Sequence, residues 1–203
     1  MGRPEEFIRI GAMNQLGNGL SEAGHYEDAL SVQEAYLSMV RRLGDLEINI
    51  LTAQSNLANT YGCIGRLEDA SRMQRDIYSG RLKLLGAEHP QTLLAANTYA
   101  DSLSRLQRFK EAKALLRKVI PVARRVLGEN QRLTLDMIWV YASALCNDTG
   151  ATLDDFREAV TTLEEAERVQ RRVLGGDHPV TTAIERDLRN ARAALRARET
   201  PSA

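Results

Sequence analysis

The chain has 203 residues, 43% apolar and 27% charged, and its 27 basic side chains balance 27 acidic ones for a formal net charge of zero. That composition suits a soluble folded chain, and the balance excludes both the electrostatic footprint of a dedicated nucleic-acid binder and a polybasic membrane anchor. There is no apolar run of about eighteen residues or more, so no membrane insertion is expected. The opening Met1-Gly2-Arg3-Pro4-Glu5-Glu6 lacks the apolar core of a signal peptide. Two widely separated cysteines, Cys63 and Cys146, argue against a disulfide framework. They suggest a reducing compartment, the cytoplasm or an organelle interior.

Helical pairs are predicted along the whole chain. The first helix, near 5–23, carries Ile10, Met13, Leu16, Gly17 and Leu20 at helical spacing, and a second follows near 26–43 with Ala29, Tyr36 and Val40. The next pair, near 47–64 and 67–85, has Leu51, Leu57, Ala58 and Tyr61, then Ala70, Met73 and Ile77. A third, near 90–106 and 109–127, has Leu93, Ala96, Tyr99, Ala100 and Leu103, then Ala112, Leu115, Leu116 and Val119. Pro121 falls inside that second helix and is expected to kink it. The fourth pair, near 131–147 and 154–174, has Leu135, Ile138, Tyr141, Ala142 and Leu145, then Ala159, Leu163 and Ala166.

Asn147-Asp148-Thr149-Gly150 reads as a turn and Thr152-Leu153-Asp154-Asp155 as a weak helix N-cap, so a lengthened loop is expected there. A ninth helix, near 179–198, places Arg189 and Arg192 where the others have a small residue and Leu or Tyr. That reads as a solvent-facing cap at the end of an array. The tail from 199 to 203 is expected to fray.

Two markers keep one beat. The turns Gly24-His25-Tyr26-Glu27-Asp28-Ala29, Gly65-Arg66-Leu67-Glu68-Asp69-Ala70, Gln107-Arg108-Phe109-Lys110-Glu111-Ala112 and Phe156-Arg157-Glu158-Ala159 place their alanines 41, 42 and 47 residues apart. Leu43-Gly44, Leu85-Gly86, Leu127-Gly128 and Leu174-Gly175 recur in the same register. This is an internal repeat, with units over 5–43, 44–85, 86–127 and 128–174, a capping helix over 178–198, and one shared core in a single array. Each repeat has one small residue, Gly17, Ala58, Ala100 or Ala142, where a neighbouring helix can approach closely. The glycines that follow helix ends are expected to adopt a left-handed cap conformation. His89-Pro90 and His178-Pro179 place Pro at helix starts. No cap precedes the first unit, so either a longer array or an end-to-end contact with another chain is expected at that side.

Leu85-Gly86-Ala87-Glu88-His89-Pro90-Gln91-Thr92-Leu93 with Asn97 and the Phe109-Lys110-Glu111-Ala112 turn resembles the tetratricopeptide repeat of kinesin light chains. So does Asn56-Leu57-Ala58-Asn59-Thr60-Tyr61 followed by Gly65-Arg66-Leu67-Glu68-Asp69-Ala70. The fourth unit departs from the pattern, with Trp139 in the place of Asn97 and a longer turn. The resemblance implies an all-α, right-handed superhelix (an α-solenoid) of helical hairpins. The first helix of each pair would line a concave groove that binds a peptide or protein without catalysis. The heavy-chain-binding coiled coil of kinesin light chains is absent, so a motor role does not carry over.

Groove positions follow from the faces turned away from the apolar stripes. They are Asn14 and Asn18, Asn56 and Asn59, Asn97 and Asp101, Trp139, Ser143 and Asn147, with Arg186 and Asn190 on the ninth helix. A carboxamide offers donors and an acceptor that match an extended peptide backbone. The alternative is that these are solvated polar positions. Trp139 fits either a binding anchor or a packed core residue.

The arginines 186, 189, 192, 196 and 198 read as a solvated cap or as the contact of an acidic partner. Asp154-Asp155 and Glu164-Glu165 read as solvated surface. No phosphate loop, nucleophile elbow or metal-ligand spacing occurs, so neither a cofactor nor an enzymatic activity is expected. The functions left are a scaffold that binds a peptide segment in its groove, or a linker held permanently in a larger multiprotein assembly.

Overall fold

The computed structural model describes residues 4–44 and 46–199, with side chains from Ile8 onward; the fraying expected over 200–203 lies outside the described residues. Those residues form nine helices and no strand. The chain divides into two compact units, Met1–Gly86 and Ala87–Ala203.

Unit 1 holds α1 (Pro4–Glu22), α2 (Tyr26–Arg42), α3 (Glu47–Cys63) and α4 (Leu67–Leu85). Its turns follow from backbone chemistry. Gly24, at φ 82°, lets the His25 N–H reach Leu20 O at 2.9 Å and its own N–H reach Ser21 O at 3.1 Å, a Schellman closure repeated at Gly65 by Arg66 to Tyr61 O at 2.9 Å. The core joins Tyr36, Leu37 and Val40 of α2 to Ala53, Leu57 and Tyr61 of α3 and Ala70 of α4. Helix approach depends on missing side chains. A Cβ on Gly17 would stand 2.8 Å from Gln33 Cγ, and one on Gly80 would stand 2.9 Å from Leu51 Cδ2.

Gln33 pairs with neutral partners inside this unit. Gln33 donates from Nε2 to Gly17 O at 3.3 Å and accepts from Thr60 Oγ1 at 2.8 Å. Leu16 was expected in the stripe but is 54% exposed. Its register equivalents Leu57, Tyr141 and Leu188 are 2%, 4% and 5% exposed. Those three lie on helices that pack on a preceding helix (α3 on α2, and in unit 2 α7 on α6 and α9 on α8), whereas nothing covers this face of α1.

Unit 2 holds α5 (Pro90–Arg105), α6 (Phe109–Val126), α7 (Arg132–Asn147), α8 (Leu153–Leu174) and α9 (Pro179–Glu199). His89 caps α5 by accepting from Gln91 N–H at Nδ1, 3.2 Å away, and His178 does the same for Val180 at the start of α9. The helix runs through Pro121 without a break. Gly86 and Gly175 have positive φ, as expected, but ψ values of 168° and 165°. They are therefore not left-handed helical. They adopt the mirror-extended region that is open essentially to glycine alone.

The connection over 148–152 is built rather than loose. Thr152 and Asp155 form a complete capping box, a stronger cap than the sequence suggested. Asp155 is not a solvated surface carboxylate. Lys113, 8% exposed, places Nζ 2.9 Å from Asp148 and 3.2 Å from Asp155, and so ties the lengthened turn to α6. Glu164 and Glu165 are likewise engaged, with Arg192 at 2.7 Å and Arg124 at 3.1 Å. On α9, Thr181, Ile184, Leu188 and Ala191 are buried, while Arg189 and Arg192 face outward. Arg198 bonds Ala151 O at 3.1 Å and lies 5.0 Å over the Phe156 ring. Arg192 and Arg198 thus fasten α9 to α8 and its preceding turn.

Candidate functional site

The two units arrange the anticipated groove residues differently. In unit 1, Asn56 Nδ2 donates to Asn14 Oδ1 at 3.1 Å, so these two carboxamides bridge α1 and α3. Asn59 Oδ1 accepts from Gln74 Nε2 at 3.2 Å, and Asn18 is half-buried. Each bond uses one carbonyl or one N–H, so Asn14 and Asn59 keep their amide donors and Asn56 its carbonyl.

In unit 2 the register position of Asn14 is filled by Trp139, and that of Asn56 by Asp187. The bridge survives with new chemistry: Trp139 Nε1 donates to Asp187 Oδ2 at 2.8 Å, and Arg186 Nε lies 3.3 Å from Asp187 Oδ1. Trp139 remains 49% exposed, because its N–H is fixed while its ring faces solvent. A cavity of about 320 Å³ opens on one side of it, with Ala142, Leu163, Ala191 and Ala194 as apolar lining and Asn147 and Asn190 among its polar side chains. A second, of about 360 Å³, opens on the other side, where Asp101, Phe109 and Trp139 meet. Ser143 and Asn147 belong to both, and Asn147 Nδ2 donates to Ser143 Oγ at 3.0 Å. These volumes lie at the lower end of the range of about 300–1,000 Å³ typical of ligand pockets. They suit one or two side chains each.

Asn97 lies in neither cavity. Its Oδ1 is enclosed and unpartnered. The α7 position in register with the acceptor's usual partner is Val140, which has no donor. Asp101 is half-buried, and burial raises its pKa above the ordinary carboxylate value against the pull of Arg105. Cys146 lines the first cavity, but burial raises its thiol pKa, which disfavours the nucleophilic thiolate. Asp187 and Phe109 were missed as residues of this site. Asp187 was legible, because it shares Asn56's place in the repeat. Among the described residues no cluster of His, Cys, Asp or Glu could hold a metal ion, and no helix is long and apolar enough to cross a membrane.

Comparison with known proteins fits this geometry. The family model for the tetratricopeptide repeat matches residues 49–125. Tetratricopeptide repeat sequence is thus matched over those residues, within an all-α helical-repeat fold. Two crystal structures of kinesin-light-chain nearly identical TPR-like repeats from Podosopora anserina share the fold. One is a point variant, with a TM-score of 0.82, 22% identity, and coverage of 94% of this chain and 88% of that one. The other has a TM-score of 0.80, 20% identity and full coverage of both chains, 100% each. The crystal structure of BtubC (BKLC) from P. vanneervenii matches with a TM-score of 0.69 and 17% identity, over 97% of this chain and 84% of that one. No curated protein sequence matches significantly. Repeats of this kind serve as protein-interaction scaffolds, and the family is generally non-catalytic.

Proposed function

We propose that the solenoid binds a peptide segment of a protein partner across α7, with Trp139 as the anchor and Asp101, Ser143, Asn147, Asn190 and Arg186 around it. The observation that carries this is Trp139 itself, half-exposed yet pinned by Asp187 between two cavities. A large aromatic ring with a fixed orientation loses little entropy on binding, and such residues dominate interface energies. Unit 1, taken by itself, has remaining amide groups on Asn14, Asn18, Asn56 and Asn59 that would match a peptide backbone. The test is a screen of short peptides against the full chain, read by the fluorescence of its single tryptophan. Binding should be lost in Trp139→Ala, scored by fluorescence polarisation of labelled peptide, while helicity is kept. Unchanged affinity in that variant rejects the site.

A second reading, a permanent place in an assembly, is favoured by the uncovered face of α1. Ala12, Leu16 and Gly19 are exposed there. The equivalent stripes of α3, α7 and α9 are each covered by the preceding helix. The occupant that fits is another amphipathic helix with the small and apolar face of α2, joined end to end. Sedimentation of the wild type and Leu16→Glu tests it. Self-association abolished by the substitution is expected, and a monomer at all concentrations removes a second copy as the occupant.

A further inference from the structure

The two cavities beside Trp139 differ in chemistry, and the difference specifies the ligand. The carboxylate of Asp187 is already engaged by the Trp139 N–H and Arg186. Among the described residues no hydrogen bond reaches the carboxylate of Asp101, although it is half-buried. A partly desolvated carboxylate without a donor is costly to leave unmatched. Arg105, one turn along α5, offsets it incompletely, since burial outweighs that attraction. Two aromatic rings, Phe109 and Trp139, line the same cavity with the Ser104 and Ser143 hydroxyls, and Arg105 lines it as well, so an incoming cation must share the carboxylate with that guanidinium. Carboxylate, aromatic faces and hydroxyl acceptors together match a cation: an ammonium or guanidinium can pair with the acid and lie over a ring. Across Trp139 the lining is apolar, with Ala142, Leu163, Ala191 and Ala194.

Resting on the groove reading above, we infer that the ligand is a peptide carrying a lysine or arginine close to an apolar residue. The cation enters the Asp101 cavity and the apolar side chain enters the cavity walled by Leu163. The cavities lie on opposite sides of α7. Packed helices stand about 8–10 Å apart, and an extended chain advances about 3.3 Å per residue. The two side chains are therefore roughly two to three residues apart.

The test uses the full chain and three sets of capped Gly/Ser peptides, each with one fixed Leu and, two or three residues away, a fixed Arg, Gln or Glu. Quenching of the single tryptophan gives the affinity. The Arg set should bind about tenfold or more tighter than the Gln set, with the Glu set weakest. Asp101→Asn should erase the preference for Arg over Gln, with helicity intact. Equal binding by all three sets, or preference for Glu, overturns the inference and keeps the groove. Persistence of the Arg preference in Asp101→Asn also overturns it. Failure of every set to bind sinks the groove reading as well. The wild-type comparison alone decides the sign should Asp101→Asn lose its fold.

Discussion

Units 1 and 2 solve the same packing problem with different chemistry. Where α1 meets α3, two neutral carboxamides close on each other, Asn14 on Asn56. Where α7 meets α9, an indole and a carboxylate take the same register positions, and the bulk of Trp139 stands between two cavities. The helix-pair interiors diverge likewise. Unit 1 buries Gln33 against Thr60 and Gly17, whereas unit 2 buries Lys113 between Asp148 and Asp155. A repeat therefore fixes where side chains meet, while the residue at each meeting point decides whether the place is filled, bridged or left open.

The sharpest break in this comparison is Lys113→Ala. It leaves two carboxylates partly buried without their cation and should cost about 3–5 kcal/mol, read as a lower urea midpoint. In unit 1 a milder change is available at another position. Gln74 keeps an enclosed, unpartnered Oε1, and the equivalent residues of α6 and α8 are Leu116 and Leu163.

The same triad sets an acid limit. Lys113 lowers the pKa of Asp148. For Asp155 burial acts in the opposite sense, but the bonds from Thr152 and Lys113 outweigh it and the pKa is again lowered. Groups whose folded pKa is depressed contribute stability above the unfolded value, near about 4, that is lost as pH falls through the folded one. Stability of the wild type should thus drop below about pH 4, and Lys113→Ala should flatten that dependence in urea titrations at stepped pH.

Next in size is Ala100→Leu, at a site with 0% exposure. Overpacking there should cost about 1–3 kcal/mol, and retention of the wild-type urea midpoint would show that the small residue is not needed for close approach. Gln74→Leu removes an unsatisfied buried group, so the midpoint should stay the same or rise by up to about 1 kcal/mol. An effect of similar size is expected at Gln107, which has φ of 59° where Gly24 and Gly65 stand in unit 1. A side chain is strained in that conformation. Gln107→Gly should therefore stabilise by about 0.5–1 kcal/mol, measured by the same titration.

The sequence by itself determined the helical pairs, the small residues between them, the glycine-marked turns and the repeat class, because each depends on local spacing or on backbone conformations open to few residues. It also placed Trp139, Ser143, Asn147 and Asn190 on one kind of face, since a repeat carries register with it. Tertiary structure alone decided which of those residues are engaged with each other. Asn14 and Asn56 are 42 residues apart and Trp139 and Asp187 are 48, separations over which no local pattern says whether two side chains bond or part. It likewise decided that Asp155 is an inward ion pair and that Leu16 lies bare, because burial depends on what the neighbouring helix presents, and helical period reports only the face.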